Sequence, residues 1–148
     1  MTVEDNKQND EAAIQRLLDD GIRSVRSKNI EGVMSLCAPE VVSFDIVPPL
    51  RLVGADAYRK RWEELFFVYQ GPIDYEMHDL SITVGDDVAF AYSLNRISGT
   101  MSTGQKTGFW LRSTACFRKI GGTWLLVHTQ SSVPVDVVTG RAVLDLRP

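Results

Sequence analysis

The sequence predicts an α+β domain in which three helices, all in the first half of the chain, cover one face of a long curved antiparallel sheet. Three observations carry this reading. Apolar residues recur at helical spacing in three stretches before Pro72; from Pro72 onward β-branched and aromatic residues alternate with polar ones; and glycine-containing turns divide that second half into strands. A curved sheet covered on one face by helices encloses a pocket between the two layers.

Each element follows from its residues. Ile14, Leu17, Leu18, Ile22 and Val25 lie on one side of a helix over about residues 10–28, with Arg16, Asp19, Asp20, Arg23 and Arg26 on the other. Residues before about position 10 read as a flexible N-terminus. Asn29 is suited to cap a second, short helix carrying Val33, Leu36 and Cys37, with Pro39 marking its end. VVSF then reads as a strand. Beyond a loop holding Pro48, Pro49 and Gly54, Tyr58, Trp62, Leu65, Phe66 and Tyr69 return to helical spacing and predict a third helix over about 55–69.

In the second half, Tyr75 and Met77 occupy one parity while Leu80, Ile82 and Val84 occupy the other, which places a bulge near His78 and Asp79. Long strands are expected at about 88–100, 106–119 and 123–133, joined by SGTMSTGQ and by a turn at Gly121 and Gly122. Residues from about 135 to 148 form a tail that packs on the sheet or on a partner subunit. No repeat or linker interrupts the chain, so residues 1–148 read as one domain.

Composition narrows the function. With 44% hydrophobic and 24% charged residues the chain has an ordinary globular balance, and at 148 residues it can bury roughly two thirds of its unfolded surface. Its net charge of −3 arises from interspersed signs, with no basic surface for nucleic acid. No apolar run approaches the roughly 20 residues that cross a bilayer, so no membrane partner is expected. The opening MTVEDNKQNDEAA lacks the basic patch and apolar run of an export signal, and Cys37 and Cys116 suit reduced packing residues; the expected location is cytoplasmic. His78, His128 and two separated cysteines form no ligand cluster, so neither a metal nor a cofactor is expected. Glycine cradles for nucleotide phosphates and a G-x-S-x-G nucleophile elbow are absent from the sequence.

Two segments resemble the nuclear transport factor 2-like superfamily, which includes ketosteroid isomerase, and its SnoaL-like branch in particular. IRSVRSKNIEGVMSLCAPEVVSFD (22–45) is similar to the superfamily's helix end, Asn or Asp cap, short helix and strand. RSTACFRKIGGTWLLVHTQSSVP (112–134) is similar to the branch's Arg-x-Thr, glycine turn, Trp, and His followed by Ser and Pro. A kinase hub (association) domain that binds small acids shares this second pattern. The resemblance implies the cone-shaped, cystatin-like form of the α+β fold and, in an ungapped register from Asn29, puts Asp45 where the isomerase has its general base. The same register puts Gly21 where the isomerase has a tyrosine oxyanion donor and Leu111 near its protonated aspartic acid. Both donors are missing, and with them the stabilisation that isomerase chemistry requires.

These readings give the candidate site. Asp45 is the catalytic candidate, a base at the mouth of an apolar pocket; its alternative role is to cap or solvate a strand end. Sheet alternation places Ser113, Thr129 and Ser131 on the face toward the helices, with Asn95 entering from the preceding strand. Tyr58 and Trp62, with polar tips on an otherwise aromatic stripe, complete the expected pocket, whose alternative is plain core. In a hairpin centred near Gly121, His128 lies opposite Thr114 and Arg112 opposite Gln130 on the outer face, together with Trp110 and Trp124. That face is expected to pair two copies of the chain into a homodimer. A one-residue slip would turn Arg112, Thr114, His128 and Gln130 into the pocket instead. The functional expectation is a cofactor-free isomerase, cyclase or dehydratase acting on a small apolar or carbonyl-containing ligand. Its alternative is a non-catalytic ligand-binding or oligomerisation module.

Overall fold

The computed structural model describes residues 2–148. Its elements are helices α1 (Val3–Arg26), α2 (Ile30–Met34) and α3 (Ala55–Val68), and strands β1 (Cys37–Phe44), β2 (Leu52–Val53), β3 (Tyr69–Val84), β4 (Val88–Met101), β5 (Lys106–Ile120), β6 (Thr123–Ser132), β7 (Val135–Asp136) and β8 (Arg141–Ala142). Six strands form one sheet in the order β2-β1-β6-β5-β4-β3. From β3 to β6 the ladder is the expected antiparallel meander. Strand β1 joins its far side parallel to β6, so the sheet as a whole is mixed.

The first helix begins well before the expected start. Thr2 and Asp5 form a reciprocal capping box, which supplies partners for backbone donors that a helix N-terminus leaves open. Asp10, two turns further on, accepts hydrogen bonds from Trp124 Nε1 and Lys119 Nζ, each at 3.0 Å, and fastens this end of α1 to the sheet. The region expected to be flexible is therefore helical from Val3. Beyond it, Ile14 is wholly buried against Ala89, Ala91, Ala115 and Phe117, whose mostly small side chains let the helix approach the sheet closely.

Asn29 caps α2 as expected, its side chain accepting from Gly32 N at 3.0 Å. The helix stops at Met34, earlier than Pro39, and Cys37 and Pro39 fall in β1. Between Cys37 and Val42 the pairing with β6 shifts register. A proline, which has no N–H to give to a ladder, sits in that interruption. Helix α3 is preceded by Gly54 at its N-cap, whose φ of 91° is accessible to glycine, and it packs Tyr58, Trp62, Leu65 and Phe66 against the core around Val41, Ile73 and Leu111.

Strand β3 changes register between Gln70 and Asp74 and again between His78 and Ser81, where Asp79 adopts φ 54°. The second shift is the expected bulge. Gly99 on β4 is required by contact: a Cβ there would lie 2.8 Å from the Tyr69 ring.

Two sheet assignments need correction. Ser113 pairs with Ser131, Thr114 with Gln130, Cys116 with His128 and Arg112 with Ser132, so the β5–β6 register is two residues from the expected one. A shift of two preserves the face of every side chain from residue 128 onward. Between the Cys116–His128 and Phe117–Leu126 pairs one extra residue, Val127, bulges out and inverts the parity of what precedes it. Trp124 accordingly turns inward and is buried in the α1 contact, away from the outer face on which it was expected.

After β6, β7 and β8 form a small separate hairpin, with Val137 and Val138 at its exposed tip. The tail beyond it runs near His78, Arg96 and Trp110 and leaves a groove of about 1080 Å³. Among the described residues no helix is long and apolar enough to cross a membrane, and no three potential metal ligands gather.

Candidate functional site

A cavity of about 820 Å³ lies between the inner sheet face and helices α1 and α3. Its walls are mainly apolar, and its polar groups come from three places. Asp45 follows the end of β1, Arg61 and the aromatic residues project from α3, and a hydroxyl and amide strip crosses the sheet floor.

Asp45, Tyr58, Trp62, Asn95, Ser113, Thr129 and Ser131 all line this cavity. The Asp45 side chain is about a quarter exposed; Oδ1 accepts from Ile46 N at 2.7 Å and Oδ2 stands 3.3 Å from Arg61 Nε. Arg61 also donates to Pro48 O at 2.5 Å and stands 3.5 Å from Glu64 Oε2, which ties α3 to the loop after β1. Arg61 was not among the expected site residues. It is three positions from Tyr58, so it shares that face of α3, but its charge reads in sequence as solvent-facing.

On the floor, Asn95 is almost wholly buried and has both ends of its amide engaged. Oδ1 accepts from Ser93 Oγ and Nδ2 donates to the Tyr75 hydroxyl, each at 2.8 Å. Because the Tyr75 oxygen accepts from Asn95, its own proton remains available as a donor. Successive hydrogen bonds polarise one another, so the chain Ser93, Asn95, Tyr75 makes Tyr75 a better donor than an isolated phenol. Desolvation pushes the Tyr75 hydroxyl up to about 12, with the Asn95 hydrogen bond opposing and the Asp45 carboxylate adding to the rise, so it stays protonated near neutrality. Tyr58 is raised as well, mainly by burial, with Cys37, Tyr75 and Asp45 contributing. These groups share one electrostatic neighbourhood. Burial also pushes the Cys37 thiol up to about 12, which leaves it without thiolate for nucleophilic work.

Ser113 pairs across the ladders with both Ser93 and Ser131, and Thr129 lies beside Ser43 of β1. Ser43 and Ser93 are the buried polar neighbours that sequence reasoning omitted. Gly21 and Leu111 also line the cavity, so the positions where the isomerase-like register lacked its donors do face the ligand space.

His128, Arg112, Thr114 and Gln130 lie on the opposite side of the sheet. His128 Nδ1 is 2.7 Å from Val42 O and its ring meets Phe44 edge-on at 4.7 Å. Arg112 Nε donates to Ser132 Oγ at 3.1 Å, and Thr114 and Gln130 are exposed. Phe44, Phe90 and Tyr92 are 40–53% exposed on this outer face.

A model of the SnoaL-like domain matches residues 14–136. A crystal structure of an NTF2-like protein of unknown function from Pseudomonas putida KT2440 is 30% identical, with a TM-score of 0.88 over 95% of this chain and 98% of that one. A ketosteroid isomerase-like protein from Erwinia carotovora atroseptica SCRI1043 has a TM-score of 0.71 at 20% identity, covering 82% of this chain and 93% of that one. A hexachlorocyclohexane dehydrochlorinase has a TM-score of 0.77 at 13% identity, covering 86% and 87%. No curated protein matches the sequence. The last two likenesses concern the fold alone; the family match spans most of the chain, and the chain belongs to the SnoaL-like domain family.

Proposed function

We propose that this protein is a cofactor-free isomerase, cyclase or dehydratase that moves a proton on a small, largely apolar carbonyl compound. The observation that supports it most is the gathering of the Asp45 carboxylate and the Tyr58 and Tyr75 hydroxyls in one mainly apolar cavity. Asp45 acts as the base. Its carboxylate takes a proton from carbon next to the substrate carbonyl, the C–H electron pair moves to form the enolate, and the protonated carboxyl returns the proton to carbon or to a leaving oxygen. The Tyr75 hydroxyl donates to the oxygen on which negative charge grows, a role for which the family register offered no residue. Arg61 and the Ile46 N–H fix the carboxylate, each on a different oxygen. Reduced thiols at Cys37 and Cys116 accord with a cytoplasmic location.

The test is α-deuterium washout from a panel of deuterated cyclic ketones, followed by NMR. Wild-type protein should accelerate exchange, and Asp45→Asn should abolish it while the melting temperature stays within a few degrees. Exchange that persists in Asp45→Asn removes Asp45 from the mechanism.

A second reading concerns assembly. The outer face, with Phe44, Phe90 and Tyr92 half-exposed beside Arg112, Thr114, His128 and Gln130, favours pairing of two copies through their sheets. Such a homodimer accords with either a catalytic protein or a non-catalytic module of the kind resembled by the hub-like segment.

A further inference from the structure

Two serines of the cavity floor hold hydrogen-bonding capacity that the protein does not use. Ser113 and Ser131 pair directly across the β5–β6 ladder, on the inner side of the sheet. Both stay partly accessible although α1 and α3 cover that side, and the surface they leave open lines the cavity. Among the described residues neither hydroxyl has a hydrogen-bond partner, and neither is sealed: the sealed side-chain polar atoms without a partner are Arg61 Nε and Trp62 Nε1. On one flank, Ser113 adjoins Ser93, whose hydroxyl is already given to Asn95. On the other, Asp45 comes one residue after Phe44, and Ser131 comes one residue after Gln130, the parallel partner of Phe44. The serine pair therefore occupies the two strands that separate Asp45 from the Ser93, Asn95, Tyr75 chain.

Directly opposed Cβ atoms in an antiparallel ladder stand about 4.5–5.5 Å apart, and two O–H···O bonds meeting at one oxygen span up to about 5.5 Å. One oxygen placed between the serines can thus reach both, and each serine hydroxyl can rotate to donate or to accept. The Asp45 carboxylate at the end of the row decides which oxygen suits. Negative charge there favours a group that presents a proton over a bare acceptor, and it repels an anion. A cation finds no free countercharge, because Arg61 already stands 3.3 Å from Asp45, and its desolvation in a mainly apolar cavity would go uncompensated.

We propose that the ligand is a neutral hydroxyketone, whose hydroxyl bridges Ser113 and Ser131 while its carbonyl oxygen accepts from Tyr75. The proposal rests on the reading of the cavity as a carbonyl site and narrows its substrate class. The ligand hydroxyl accepts from one serine and donates to the other, so it replaces both of the bonds it gives up to water.

Isothermal titration calorimetry tests this with 1-decalone and with its alcohols, which carry one hydroxyl on each methylene carbon of the second ring in turn. One of these alcohols should bind about 5- to 10-fold more tightly than 1-decalone, the net worth of one neutral hydrogen bond. The dione made by oxidising that hydroxyl accepts but cannot donate, and it should bind less tightly than the alcohol. In Ser113→Ala and in Ser131→Ala the ratio of the two affinities, alcohol to 1-decalone, should fall to about one. A merely structural effect of either substitution would shift both affinities together and leave the ratio as it is. The hydroxyketone assignment is overturned by a series in which no alcohol surpasses 1-decalone, by a preference that survives both serine substitutions, or by a dione that matches the alcohol. Asp45-dependent exchange of ketone α-hydrogens would then still stand. Failure of 1-decalone and of every alcohol to bind overturns the assignment and the carbonyl reading together.

Discussion

In the proposed mechanism Tyr75 supplies the proton donor that the family register lacked, and its strength as a donor depends on Asn95. Removing the hydroxyl in Tyr75→Phe deletes a donor aimed into the cavity, and loss of one such donor typically costs about 2.7–4 kcal/mol of transition-state stabilisation. We expect the Asp45-dependent exchange rate to fall about 10²- to 10³-fold, read as the rate per enzyme at saturating ketone. Asn95→Leu leaves Ser93 without an acceptor and Tyr75 without its polarising donor. Its effect should combine lowered rate with lowered stability; Tyr75→Phe, which leaves the buried Asn95 Nδ2 without its acceptor, should also cost about 1–3 kcal/mol in urea unfolding, so its rate is read at a temperature where the variant is fully folded. Equal rates for wild type and Tyr75→Phe would transfer the donor role to another group. At this scale the sequence was informative about Asn95, because alternation along β4 alone puts it inward among Ala89, Ala91 and Ile97. It was silent about Tyr75, since β3 shifts register on both sides of that residue and parity cannot be counted across the breaks. Arg61 was hidden for another reason: its partner Asp45 is 16 positions away, and a helix-face pattern treats a lone arginine as solvated.

The elements were legible wherever local pattern sufficed and misread where a long-range partner decided the outcome. The Asn29 cap, the span of α3 and the lengths of β4 and β5 follow from neighbouring residues. The early start of α1 depends on Asp10 meeting Trp124 and Lys119 more than 100 positions away, and the inward turn of Trp124 depends on the Val127 bulge. That contact has a measurable worth. Asp10→Ala leaves the buried Trp124 N–H without an acceptor, which should cost about 1–3 kcal/mol in urea unfolding near neutral pH. The pH dependence has a definite sign. The Trp124 hydrogen bond, and secondarily Lys119, hold the Asp10 carboxyl below its ordinary value of 3.8. A depressed folded value contributes stability that is complete above the unfolded value and is lost as pH falls through the folded one. The gap between wild type and Asp10→Ala should therefore be constant from pH 5 upward and narrow below about pH 3.8. A gap that widens in acid would show that the carboxylate is not what fastens the helix.

For the whole molecule, the sheet has two faces with different demands. The inner face is buried by α1 and α3 except where the cavity opens, and three of its polar groups, Ser93, Asn95 and Tyr75, are joined in one hydrogen-bonded chain. Among the described residues none covers the outer face across Phe44, Phe90 and Tyr92, which are 40–53% exposed, because the C-terminal tail lies toward His78, Arg96 and Trp110. A stable pairing of two copies needs about 800 Å² from each, and the sheet face is the surface proposed to supply it. The polar groups there also suit a wet interface: Arg112 is held by Ser132, and Gln130 is exposed across from Thr114. Phe90 and Tyr92 are 43% and 53% exposed, so replacing them costs an isolated chain little. Phe90→Glu with Tyr92→Glu should therefore place like charges in the centre of the pair and yield a monomer in sedimentation equilibrium at micromolar concentration, with the melting temperature of the separated chain still well defined. The cavity lies on the other side of the sheet, and ketone binding should survive in that monomer if each copy holds a complete site. Arg112→Ala, at the polar part of the face, should weaken the association less than the aromatic pair does. A wild-type chain that sediments as a monomer, or a doubly charged variant that remains dimeric, would show that this face does not join two copies.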